Sequence, residues 1–435
     1  MNQLPERDFS SKDYKRSRLA YVTECTAEYF VSLLVIESFL AKVLQYIGLD
    51  DSTIGIISTL AALSQLFQFF SIFAVQRIRN TKRFVVFFHT IGQLFFMVLY
   101  FVPFMPFARE YKGVLAIFCI LAAYFGNYFV TNIIYNWGNS YVEPHHRGRF
   151  GATKETCSLI SGIVVTIIIG YTMDAFEANG NLEGGFIFAA IAILIFCITD
   201  FVCLLLIKND VKSREETSNA EPLLAVMKKL SKNRGFWNII ILNVLWNVSV
   251  YTTLGFLGTY RINEGELAFT LGQVTVIAMV GNLGRALLSR PFGKYADKHS
   301  YAKALRLALL VAAASFLASA LTTPSTRYLI IVHTLLYCIC HAGIGANMLN
   351  ISYSYIPKEY YVQTTSIKNC IGGTCGFLAS LGAGAILKAI QSSGNTLFGI
   401  HVYGQQVLSL ISFVLLIVAF FFTKLVIEKQ KVMIQ

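Results

Sequence analysis

Twelve apolar stretches recur along the chain, at 19–41, 52–75, 83–103, 113–137, 151–173, 184–207, 236–258, 268–290, 303–322, 328–352, 367–388 and 401–424. Each is close to the roughly 20 apolar residues that an α-helix needs to cross a hydrocarbon core. Helices satisfy all their backbone groups internally, so this pattern predicts an all-α integral membrane protein with twelve spans. A charged stretch between Lys208 and Arg234 interrupts the series after the sixth span. The predicted organisation is therefore a six-span bundle at 1–207, a linker at 208–235, and a second six-span bundle at 236–435. Within the linker, helical periodicity resumes at Leu223, Leu224, Val226, Met227 and Leu230, which predicts a short amphipathic helix at the membrane surface.

Polar positions inside the spans are not scattered. In the fourth span Tyr124, Asn127, Tyr128, Thr131, Asn132, Tyr135 and Asn139 fall within an arc of about 140° on a helix. Lipid is a poor neighbour for such a face, because amides cost free energy in hydrocarbon unless paired or wetted. The seventh span repeats the pattern with Asn243, Trp246, Asn247 and Tyr251, the tenth with His333, Tyr337 and His341, and the first with Tyr21, Glu24, Glu28 and Ser32. Rings beside amides suit a small polar organic solute: rings stack on its flat face and amides read its hydroxyls or carbonyls. A sugar or glycoside is the favoured solute, with nucleosides and zwitterions equally within this chemistry. The plainer role for any one Asn or Tyr is to join helices by hydrogen bonds.

Composition agrees with the pattern: 55% of residues are hydrophobic and 14% charged, against about a quarter charged in soluble domains. The net charge of +12 is topological. Roughly 29 of the 36 Lys and Arg fall on segments that alternate to one side, which places both termini in the cytoplasm and argues against nucleic acid as a partner. The first apolar stretch is too long for a removable leader and reads as a span. Nine cysteines lie in or beside spans, so no disulfide framework is expected. Short loops without glycosylation signals point to a bacterial inner membrane.

A faint internal repeat relates the halves. An offset of 217 pairs Gly55 with Gly272, Gln65 with Asn282, Gln68 with Arg285 and Asn80 with Asp297, and Lys154 falls near Lys368. Such duplication is expected of secondary transporters.

The segment from Gly293 to Asp297 and Lys298 resembles the G-x-x-x-D-R/K loop of the major facilitator superfamily, and Pro144 through Arg147 and Arg149 resembles its P-x-x-R-G-R segment. With the twelve spans, the resemblance covers the whole chain. It implies two six-helix bundles facing a central cavity lined by the first, fourth, seventh and tenth spans. The site that usually carries the family's strongest copy of the loop reads Gln76 to Asn80 here, without its glycine and aspartate. An asymmetric cytoplasmic gate is expected, in which Asp297 beside Gly293 meets Lys154 or Arg149, with Arg285 bracing it or, alternatively, binding an anionic group of the solute. The alternative is that Asp297 and Lys298 only solvate a turn.

Ionisable residues inside spans mark function by default. Glu24 and Glu28 lie one turn apart on the predicted cavity face, and Glu28 is the leading candidate for proton coupling, with a static ion pair to Lys154 or Arg285 as the competing role. Glu37, on the opposite face near the outer end, is expected to pair within the amino-terminal bundle or at the interface. The expected activity is alternating-access transport of a small polar solute, coupled to protons as a symporter and carried out by a monomer in the bilayer. An exporter of amphipathic compounds is the second class and a non-transporting receptor the third. No metal-ligand spacing, nucleophile elbow or phosphate loop is found, so neither catalysis, nor a cofactor, nor a metal is expected.

Overall fold

The computed structural model describes residues 9–70, 81–143, 146–208, 223–357, 360–397 and 399–430. Asn80, Pro144 and most of the linker lie outside the described residues, as do the side chains of Asn132, Asn139, Arg147 and Arg149. The chain folds into helices throughout: α1 Lys12–Leu34, α2 Glu37–Ile47, α3 Asp51–Ser58, α4 Leu60–Ser64, α5 Thr81–Leu99, α6 Arg109–Ser140, α7 Arg147–Ala178, α8 Leu182–Leu206, α9 Leu223–Leu230, α10 Arg234–Tyr251, α11 Leu257–Ile262, α12 Leu271–Lys298, α13 Tyr301–Ala320, α14 Leu329–Tyr355, α15 Tyr361–Ser392 and α16 Gly404–Phe422. A two-residue antiparallel ribbon, β1 Thr396–Leu397 with β2 Ile400–His401, precedes α16.

Among the described residues eleven helices are long and apolar enough to cross a membrane, and the bent pair α1 and α2 makes a twelfth. That pair turns by 46° at Val35 and Ile36, where Glu37 takes a positive φ of 48°. Such a backbone is uncommon for a residue with a side chain. Polar caps set several starts. Asp50 accepts from the Thr53 amide at 3.2 Å, Asn181 from the Gly184 amide at 3.0 Å, and Thr270 with Gln273 forms a reciprocal capping box.

Two boundaries differ from the sequence reading. The segment Gly293 to Lys298 is no loop but the last turns of α12, which runs through Pro291 to Lys298. A proline in a helix removes one backbone donor, and the remaining ladder carries the helix onward. At Gly293 an added Cβ would meet nothing within 4 Å among the described residues. Helix α7 begins at Arg147, which places the basic segment before the fifth span on its first turn.

By contacts the chain divides into two compact units, one of Met1–Val35, Phe70–Met105 and Phe118–Ala220, the other of Ile36–Phe69, Pro106–Ile117 and Glu221–Gln435. In the first, α1 packs on α7 and α8, and α5 on α8. Close approach of α5 and α6 depends on small residues: a Cβ on Gly126 would stand 2.5 Å from the Phe88 carbonyl oxygen, and one on Gly92 2.8 Å from that of Ala123. In the second unit α13 packs on α14 and α16, α10 on α15, and α2 and α3 on α11, with α3 also on α15. There Gly255 lets backbones touch, since its Cβ would fall 2.4 Å from the Gly55 carbonyl oxygen.

Candidate functional site

In the first unit, α1 and α8 lie along each other, and α5 also packs against α8. This brings three ionisable side chains together in the interior. His89 Nε2 on α5 stands 3.2 Å from Asp200 Oδ2 on α8 and 3.8 Å from Glu24 Oε1 on α1. All three are at most 1% exposed. Their nearest donor atoms lie within 4.8 Å of one another, close enough for one small cation to touch all three. None of their carboxylate oxygens or ring nitrogens has a well-aimed hydrogen-bond partner among the described residues. Buried polar atoms are almost always satisfied, which makes this cluster unusual.

Glu28, one turn along α1, is partly exposed and within electrostatic reach of His89, Asp200 and Lys154. The Lys154 ammonium sits over the rings of Tyr21 and Tyr135, 5.6 and 5.2 Å from their centroids, an arrangement that favours a cation.

The fourth-span stripe, carried on α6, divides in two. Asn127 is buried and accepts from Gln93 Nε2 at 3.2 Å, and the Thr131 hydroxyl donates back to the Asn127 carbonyl at 2.7 Å. Tyr124 and Tyr128 are stacked, 5.6 Å apart at 13°, and Tyr135 is 46% exposed. The rings and Glu28 thus present surface, while Asn127 joins α6 to α5.

In the second unit, Trp246 on α10 meets His341 on α14 edge to face at 5.6 Å, and Tyr337 meets His341 at 4.6 Å. All three are partly exposed. The His341 Nδ1 lies 2.9 Å from the Tyr337 carbonyl, so it is the proton-bearing nitrogen and Nε2 is left as an acceptor. Arg285 on α12 is an electrostatic neighbour of His341. Asn243 and Asn247 are buried; Asn243 donates to the Lys368 carbonyl at 2.8 Å and Asn247 to the Asn243 carbonyl at 2.7 Å. Gly372 on α15 makes room for both amides. Tyr251 packs beside Gly376 on the same helix. His333 is buried in the core, its Nδ1 2.9 Å from the Ser315 hydroxyl. Asp297 is exposed on the last turn of α12.

Glu37 has a different partner from the one expected. It contacts Arg261 on α11, within the second unit, and Arg261 also reaches Thr334 at 3.4 Å. Around them Gln45 donates to Asn263. Asn263 donates to Asp51 at 3.2 Å and to Glu266 at 3.1 Å, Gln391 to Asp51 at 3.0 Å, and Gln405 to Glu266 at 3.2 Å. Burial, with Asp51 nearby, pushes the Glu266 carboxyl up to about 7 despite its amide donors.

Sequence reasoning missed His89 and Asp200. A signal was present: Asp200 is the single charged residue of the sixth span, and His89 is the only histidine or charged residue of the third beyond Arg83 at its edge. Neither belongs to a polar stripe, so periodicity passed over them.

Solved structures share this fold. A point mutant of the nucleoside transporter NupG superposes with a TM-score of 0.72 at 13% identity, covering 94% of this chain and 98% of that one. A POT family peptide transporter in an auto-inhibited form gives 0.69 at 9%, covering 98% and 99%. A bacterial homologue of the iron transporter ferroportin, inward-facing, gives 0.67 at 12%, covering 95% and 98%. No curated protein matches the sequence. The family model described as Major Facilitator Superfamily matches residues 19–380, and with its helical, membrane-crossing architecture the chain is a membrane transporter belonging to that superfamily.

Proposed function

We propose that the protein imports a small, polar, ring-bearing organic solute, a glycoside or nucleoside, by alternating access with proton symport. The observation that carries this reading is the group Trp246, Tyr337 and His341. Its partly exposed rings offer stacking faces, an indole N–H, a phenol and a free imidazole nitrogen, the groups that recognise a flat solute edged with hydroxyls. The stacked Tyr124 and Tyr128 offer a second platform in the first unit. Similarity to a nucleoside transporter supports the same solute class. Glu28 is the coupling carboxyl, and both termini are cytoplasmic.

Substrate counterflow in proteoliposomes tests this reading, using labelled nucleosides and glycosides as the panel. At least one is expected to exchange, with Trp246→Ala lowering exchange about tenfold or more, the equivalent of a lost stacking contact. Glu28→Gln is expected to abolish uphill uptake driven by a pH gradient while sparing exchange. Counterflow of no panel member, or uphill uptake unchanged in Glu28→Gln, overturns the corresponding part.

A further inference from the structure

Three carboxyl groups, Glu24, Glu28 and Asp200, converge in the interior of the first unit, and two groups able to carry positive charge, His89 and Lys154, face them. Among the described residues the remaining titratable neighbours are thiols and phenols: Cys25 and Tyr21 on α1, Tyr135 on α6, and Cys197 and Cys203 on α8. These are uncharged at neutral pH in ordinary surroundings. Even with His89 and Lys154 both protonated, the cluster is one positive charge short. Lys154 stands over the two tyrosine rings and toward Glu28, so the deficit falls on Glu24 and Asp200, which are fully buried with only the Cys25 thiol and the His89 ring as donor neighbours among the described residues.

An uncompensated buried charge costs several kcal/mol, and no amide of the described residues is aimed at it. Among the described residues no further cation faces the pair, so a proton from water is the available positive charge. Two carboxylates sharing a site within a few ångströms cannot both ionise cheaply, so a proton held between them is the least costly answer.

We propose that Glu24, His89 and Asp200 form one buried proton-binding site, in which a proton on the carboxyl pair accompanies the one on the imidazole. The bond formed is O–H on Glu24 or Asp200; the proton is taken from water and returned to it, with Glu28, partly exposed one turn away, as the relay. His89 acts as a positioning residue, since its charge sets how tightly the carboxyl pair holds the proton. This deepens the symport reading and rests on it for a role in transport, though proton binding itself needs no solute.

Infrared titration of the purified full-length protein in nanodiscs tests the site without substrate. The wild type is expected to show a protonated-carboxyl carbonyl band that vanishes on alkalinisation, and Glu28→Gln to retain it. Asp200→Asn removes a neighbouring negative charge and should move the midpoint down by about one pH unit or more, whereas His89→Gln removes a positive charge and should move it up. These opposite shifts are not produced by a merely structural role. Glu24→Asp, which keeps the carboxyl, guards against variants that fail to fold, and should retain a titrating band. Absence of the band in the wild type, or midpoints unmoved by both variants, overturns the proposal. So does stoichiometric zinc binding by the wild type that is lost in His89→Gln, because the cluster is then a metal site. A titrating band in a protein that shows no pH-driven uptake keeps the proton site and removes only the symport reading.

Discussion

Two groups of polar side chains, one in each unit, meet burial in opposite ways. In the second, Glu37 and Arg261 form an ion pair, and Asp51, Asn263 and Glu266 are joined by amide hydrogen bonds, so that each of these groups meets a partner of complementary chemistry. In the first, Glu24, His89 and Asp200 lie as close together with no aimed donor among the described residues. Satisfied networks specify and rigidify a structure, while unsatisfied ones hold free energy that a bound species can release. The second unit's group is accordingly built to hold, and the first unit's cluster to take something up.

In the second unit the largest cost should come from breaking the ion pair. Arg261→Met leaves Glu37 without its cation and is expected to lower stability by about 3 kcal/mol, at the low end for a broken buried pair because Glu37 is 35% exposed. Thermal unfolding in detergent reads this; a loss under about 0.5 kcal/mol would reduce the pair to an ordinary surface contact. A smaller cost, about 2 kcal/mol, is expected for Gly126→Ala in the first unit, where the new Cβ must push α5 and α6 apart. If the Gly126→Ala protein unfolds at the wild-type temperature, the helices are not held in close packing.

A pH dependence sharpens the contrast. The Glu266 carboxyl is raised from the ordinary 4.5 to about 7, by burial and by Asp51. Burial and the Asp51 charge therefore favour its protonated form, against the Asn263 and Gln405 amides that donate to it. Stabilisation from this group is full below about pH 4.5 and is lost as pH rises through about 7. Hydrogen exchange at residues 263–268 should accelerate across that window by more than the intrinsic chemical rate, and Glu266→Gln should flatten the excess. A variant that keeps the wild-type pH profile would assign the effect elsewhere.

Legibility in the sequence followed physical range. Span positions were readable because the bilayer demands a long apolar helix wherever the chain crosses it, and the family motifs were readable because they are local. The first span's bend at Val35, the helical state of Gly293 to Lys298, and the Glu37 to Arg261 contact were not, since each depends on what packs against the segment. The fourth-span stripe shows the limit well: periodicity grouped Asn127 with Tyr124 and Tyr128, but a Gln93 amide on the neighbouring helix claims Asn127 for the interior.

By itself the sequence determined an all-α membrane transporter with twelve potential spans, because hydrophobic length and charge bias act residue by residue along one chain. Only the tertiary structure decided which ionisable groups meet. Glu24, His89 and Asp200 are separated by 65 and 111 positions in the chain. Electrostatic interaction depends on distance in space and on burial, and both are settled when α1, α5 and α8 pack together.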